Sequence, residues 1–277
     1  MTGVTRPPMR YLGGKWRLAP WIIGFFPAHR TYVEPFGGAA SVLLRKPRSM
    51  AEVYNDLDGE ISGLFRVLRS PVDGRELVRQ IRLTPFSRRD YESAFQVDGD
   101  PIEQARRTLI KAGMGFGSNS VHRRTGFRDG FKRSGQVPAG DWMNLPEALL
   151  QIVERLRGVI IEELPAIRVI KRYDTRETLH YIDPPYPHDA RGSDGRYRYE
   201  MTDDEHRELA VALRAAVGAV VISGYRCNLY DELYGDWRRV DRKTYADGAR
   251  LRIESLWMSP AVVNHPTLFP SSDQEGA

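Results

Sequence analysis

The chain has 277 residues, 41% hydrophobic and 28% charged, the composition of an ordinary globular protein with enough apolar mass for a sizeable core. Its net charge is +5 at pH 7 and it holds one cysteine, Cys227, which excludes an internal disulfide framework and a thiolate metal cluster. With no run of about 18 apolar residues and no apolar signal segment in residues 1–10, neither a membrane span nor secretion is expected, and the cytoplasm is the expected compartment.

In chain order, Tyr11-Leu12-Gly13-Gly14-Lys15 comes first. Residues 31–33 form a β-prone run ending in Glu34-Pro35-Phe36-Gly37-Gly38, and 39–44 read as a helix. Residues 51–54 read as a second strand, ending in Asn55-Asp56. Two strands joined through a helix make a right-handed βαβ unit, the opening of a parallel sheet. From Ile61 to about Trp142 the strand–helix alternation stops. Residues 61–68 and 102–112 look helical, and 113–140 read as loops and a hairpin.

Between positions 104 and 134 lie eight basic residues, Arg106, Arg107, Lys111, Arg123, Arg124, Arg128, Lys132 and Arg133, against one acid, Asp129, a local balance of 8 − 1 = +7. So one-sided a run favours a phosphate-facing surface.

The α/β rhythm then returns. Residues 146–157 form an amphipathic helix with proline at its start, 159–162 a strand, and 178–182 a strand ending in Asp183-Pro184-Pro185-Tyr186. After a polar loop at 187–199, Thr202 caps a helix with Glu205 as its capping-box partner. Residues 219–222 make a strand ending in Ser223-Gly224-Tyr225, and 237–244 and 250–258 two closing antiparallel strands. The expected organisation is a discontinuous α/β domain (1–60 and 144–270), an inserted subdomain (61–143) and a flexible tail (271–277).

Two segments carry the chemistry. The Gly37-Gly38 turn follows a strand, where α/β sheets bind ligands, and glycine lets backbone approach a ligand closely. It lacks both the dinucleotide fingerprint and the P-loop lysine, so its ligand need not carry a pyrophosphate. Asp56 ends the next strand, as a ribose acceptor or as a helix cap. Asp183-Pro184-Pro185-Tyr186 suits an aromatic amine such as the 6-amino group of adenine. That nitrogen is a poor nucleophile because its lone pair is delocalised. The Asp183 carboxylate and the Pro184 carbonyl can accept its two hydrogens, prolines stiffen the turn, and Tyr186 offers a flat face for stacking.

These segments, in this order with the insertion before the fourth, resemble the Dam-like class of adenine-specific DNA methyltransferases over Arg10 to about Pro260. The resemblance implies a Rossmann-like methyltransferase sheet, mostly parallel with an antiparallel closure, plus an inserted, mainly helical DNA-recognition subdomain. It implies S-adenosylmethionine as cofactor, held by Tyr11, Lys15, Glu34, Pro35, Phe36, Gly37, Gly38, Asp56 and Asp183. Tyr11 and Lys15 are then expected near the cofactor's base and carboxylate ends. Asp183, Pro184 and Tyr186 become catalytic. Ala40 stands where many members have glycine. Double-stranded DNA is the expected partner and flips its target base. Arg123, Arg124 and Arg128 are candidate base readers, with Asn119 for adenine, while Arg106, Arg107, Lys111, Lys132 and Arg133 grip phosphates. Scattered histidines give no metal motif, so no metal is expected. A monomer is expected, with a dimer left open. Rival readings are methylation of cytosine's 4-amino group or of RNA adenine, and a DNA-binding module with a relict cofactor pocket.

Overall fold

The computed structural model describes residues 3–130, 137–191, 198–245 and 251–263. Lys132, Arg133 and the expected tail at 271–277 lie outside the described residues.

Seven strands form one sheet: β1 Thr31–Glu34, β2 Ala51–Asn55, β3 Ile160–Glu162, β4 Thr178–Ile182, β5 Ala219–Gly224, β6 Arg238–Tyr245 and β7 Leu251–Met258. Their order is β3-β2-β1-β4-β5-β7-β6. The first five run parallel, β7 is antiparallel to β5, and β6 antiparallel to β7. This is the mostly parallel, Rossmann-like sheet expected, with its antiparallel closure. Every residue of β4 and β5 is buried, because helices cover both faces of a parallel sheet. The order reverses between β1 and β4. The carboxyl ends of these two strands, Glu34 and the Ile182–Asp183 step, therefore flank the crevice where an open α/β sheet binds ligands.

Between β2 and β3 the described residues form the helices Gly59–Arg69, Pro71–Leu83, Arg88–Ser93, Pro101–Met114, Pro138–Met143 and Leu145–Leu156. Two of the four long ones match the helices expected at 61–68 and 102–112. Pro71–Leu83 was not expected, although its start carries a readable signal: the Ser70 side chain accepts from Asp73 N, with Pro71 at the first helical position. A narrow antiparallel bridge joins Gly115 to Phe127, with Phe116 N donating to Gly126 O at 2.8 Å, where a hairpin was expected.

One continuous apolar core runs from Tyr32 and Tyr54 under the sheet through Phe65 and Leu109 to Leu149. A buried ionic cluster ties the last of these helices to β2: Arg155 donates to both Glu52 oxygens at 2.6 and 2.9 Å, and Lys46 donates to Glu52 Oε1 at 2.7 Å. Burial lowers the Lys46 pKa to about 8 even so. Two further helices escaped the sequence reading, Ala166–Tyr173 between β3 and β4 and Asn228–Tyr234 after β5. The capping box at Thr202 and Glu205 forms as expected. Among the described residues no helix is long and apolar enough to cross a membrane.

Candidate active site

A cavity of about 370 Å³ opens at the switch point. The segments Tyr11–Lys15, Glu34–Ala39 and Asn55–Asp58 form one side, and Leu164–Ile167, Asp183 and Met201 another. The walls are largely apolar, from Leu12, Phe36, Leu57, Ile167 and Leu209, with Lys15 beside Asp183 and further carboxylates, among them Asp56, elsewhere. That mixture suits a ligand with an apolar ring system and polar ends.

The glycine turn is built from close approaches. A Cβ on Gly37 would fall 2.1 Å from the Tyr54 ring, so only glycine fits without moving Tyr54. Gly38 has φ +47°, and a Cβ there would meet Tyr11 Cε1 at 2.7 Å. The Tyr54 hydroxyl donates to Gly38 O at 2.7 Å, and Gly38 N donates to Asp56 Oδ2 at 2.8 Å. Ala40 adopts the left-handed conformation, φ 52°, that glycine tolerates better, and is wholly buried.

Asp56 also accepts from Asp58 N at 2.9 Å. Enclosure raises its pKa to about 6, against the pull of these two amides. The helix cap is not Asp56 but Asp58, whose side chain accepts from Glu60 N. Glu34 is buried and accepts from the Tyr32 hydroxyl at 2.7 Å and from Leu43 N at 3.0 Å. Burial pushes its pKa up to about 8, with the Asp183 charge adding to the rise.

At the end of β4, three polar side chains surround Asp183 Oδ1. Lys15 Nζ is 3.0 Å away, Ser223 Oγ donates at 2.9 Å, and the Tyr186 hydroxyl lies 3.1 Å away. Among the described residues no donor meets Oδ2, and the side chain is 17% exposed at the cavity. Among the described residues one carboxylate oxygen is thus held by Lys15 and Ser223 and the other is open, on a turn stiffened by Pro184 and Pro185. Residues 11–246 match the family described as D12 class N6 adenine-specific DNA methyltransferase. The chain belongs to this family. No curated protein matches it.

The methyltransferase therefore acts on adenine in DNA and needs a methyl donor. Its cavity brings together Tyr11, Lys15, Glu34, Pro35, Phe36, Gly37, Gly38, Asp56 and Asp183. One of these, Lys15, and the expected catalytic residue Tyr186 differ in setting from the expectation. The Lys15 ammonium faces Asp183, donates to Gly13 O at 2.9 Å and lies 4.8 Å from the Tyr186 ring centre, rather than standing ready for a donor carboxylate. Tyr186 is 3% exposed, with Tyr225 against it edge-on at 4.8 Å, so its ring is not the open stacking face expected.

The basic run also resolves into distinct settings, because acids just outside the counted window fold onto it. Arg106 and Arg107 both pair with Glu103, at 2.6 and 2.7 Å. Lys111 is buried against Glu60, and Arg128, 8% exposed, pairs with Asp141 at 2.8 Å. Arg123 and Arg124 are exposed. Asn119 O accepts from His122 N and Arg123 N, which folds the turn carrying them.

Four residues of this region were missed by sequence reasoning. Ser223 and Glu254 hold the Asp183 cluster, and His122 and Asp58 line the cavity. His122 is the cavity's single contribution from positions 61–143 among the described residues; its ring meets Tyr11 edge-on at 5.2 Å, and its Nδ1 lies 3.5 Å from Asp58 Oδ2. Only Glu254 left a sequence signal, as a carboxylate in an otherwise apolar run.

Proposed function

We propose that this methyltransferase uses S-adenosylmethionine to methylate the 6-amino group of an adenine flipped from duplex DNA within a specific sequence. The open Oδ2 of Asp183, beside a cavity of the size a nucleoside–amino acid conjugate needs, carries the reading. Asp56 suits ribose hydroxyls, since two amide bonds leave its carboxylate with unused lone pairs. Leu57, Phe36 and Ile167 offer apolar contact to a purine. When bound, the donor supplies an electrophilic methyl on a sulfonium.

The chain's own part is orientation. Lys15 and Ser223 fix Oδ1, so Oδ2 points one way. Together with the Pro184 carbonyl it would accept both amine hydrogens and favour a tetrahedral nitrogen with its lone pair free. The nitrogen must lose a proton when it is methylated, and Asp183 Oδ2 would be placed to accept it. A stacked base cannot reach this point, which supports flipping, at a cost of a few kcal/mol. Arg123, Arg124 and Phe116, the last 70% exposed, are the groups offered to the duplex.

The test is transfer of labelled methyl to unmethylated DNA, with the modified base identified after digestion. Wild type should yield N6-methyladenine, and Asp183→Ala should abolish transfer while DNA affinity stays within about threefold. Label on cytosine, or full activity in the variant, would refute the reading.

A further inference from the structure

The role given to Asp183 leaves one buried carboxylate unexplained. Glu254 lies on β7, 2% exposed, in a run whose next four residues, Ser255, Leu256, Trp257 and Met258, are equally buried. An ionisable group in such a place is costly unless something compensates it. Here the compensation comes from the catalytic cluster itself. The Tyr186 hydroxyl donates to Glu254 Oε1 at 2.5 Å, and Lys15 Nζ lies 3.7 Å from the same oxygen.

Tyr186 has one hydroxyl proton and two carboxylates within reach, at 2.5 Å on Glu254 and 3.1 Å on Asp183. The shorter contact takes the proton. Lys15 divides the other way, 3.0 Å from Asp183 and 3.7 Å from Glu254. We propose that Glu254 is a positioning residue for methyl transfer, anchoring the Tyr186 hydroxyl and the Lys15 ammonium on one side of Asp183 so that Oδ2 keeps its aim at the amine. It touches no reacting atom and works through these two side chains.

The groups facing Glu254 are Lys15 from the N-terminal segment, Tyr181 and Asp183 from β4 and its end, Tyr186, Tyr225 beyond β5, and Arg242, its register partner on β6, with Arg252 two residues away on its own strand. Burial raises the Glu254 pKa and Lys15 opposes the rise, with Asp183 adding to it. The anchoring form is the carboxylate. Acidification therefore removes it at higher pH than for an ordinary glutamate.

This inference rests on the reading of Asp183 above, and wild-type transfer to adenine is its control. In the full chain, Glu254→Gln keeps the shape and removes the charge. Its single-turnover rate should fall about 10- to 100-fold, with S-adenosylhomocysteine and DNA affinities within about threefold of wild type. The acid limb of the wild-type pH–rate profile should move to lower pH. Tyr186→Phe should lose a similar factor, and the double variant should be no slower than the slower single, because both changes break one contact. An unchanged rate in Glu254→Gln, multiplicative losses in the double variant, or an unmoved acid limb would overturn the proposal. If Glu254→Gln does not fold, Tyr186→Phe alone decides, by whether its acid limb moves. A wild type that methylates no adenine sinks the reading of Asp183 instead.

Discussion

Lys15 and Asp183 belong to segments far apart in the sequence, yet their charged atoms meet at 3.0 Å, nearly out of solvent on the lysine side. The ammonium thus orients the carboxylate that follows β4. Lys15→Met should cut the single-turnover rate by about 100-fold or more, while the affinity for S-adenosylhomocysteine changes by less than about fivefold. A large loss of affinity with an intact rate would return Lys15 to the donor-binding role first read from its motif.

Gly37 is a steric requirement. Gly37→Ala would drive a methyl into the Tyr54 ring, and Tyr54 cannot retreat because it is fully buried and bonded to Gly38 O. The expected cost is about 1–3 kcal/mol in urea unfolding, with weaker donor binding. A variant as stable as wild type would mean that the turn relaxes freely.

The Glu34 carboxyl, with a pKa near 8, keeps a proton that an unfolded glutamate releases near 4.5. Its stabilising contribution is complete below the unfolded pKa and is lost as pH rises through the folded one, by up to about 1.4 kcal/mol per pH unit. Asp56 acts with the same sign but only up to about 6. Lys46 also begins to titrate between about pH 6.5 and 8, so Glu34 is isolated there by comparing urea unfolding of wild type with that of Glu34→Gln. Wild type should lose stability across that window more steeply than Glu34→Gln. Parallel slopes would show that Glu34 is already ionised.

On the DNA side, exposed and buried cations should part company. Arg124→Ala should flatten the salt dependence of duplex binding by about one unit. Lys111→Met should leave that slope unchanged and lower stability by about 1–3 kcal/mol, because the half-buried Glu60 keeps only the longer contact to Arg198, at 3.4 Å, as its ion pair. A reduced slope for Lys111→Met would put its ammonium on a phosphate after all.

The strands and the segments at their ends were legible because each combines a β-prone run with a turn of unusual composition, as at Glu34–Gly38 and Asp183–Tyr186. Pro71–Leu83 was harder, since its polar residues hid a short apolar stripe of Leu77, Val78 and Ile81. Charge placement was the least legible. A window from 104 to 134 counts Lys111 as a free cation, but Glu60, far upstream, folds beneath it. The same holds for Ser223 and Glu254: a β5 hydroxyl reaches Asp183, and a β7 carboxylate reaches its neighbours Lys15 and Tyr186, only because the sheet order places those strands beside one another.

His122 stands in the wall of the cavity proposed for the donor, although its chain neighbours Arg123 and Arg124 belong to the turn proposed to face DNA. Any duplex that shifts this turn reshapes the small-molecule site, and thermodynamic reciprocity then fixes the return effect. Whatever factor DNA applies to donor affinity, the donor applies to DNA affinity.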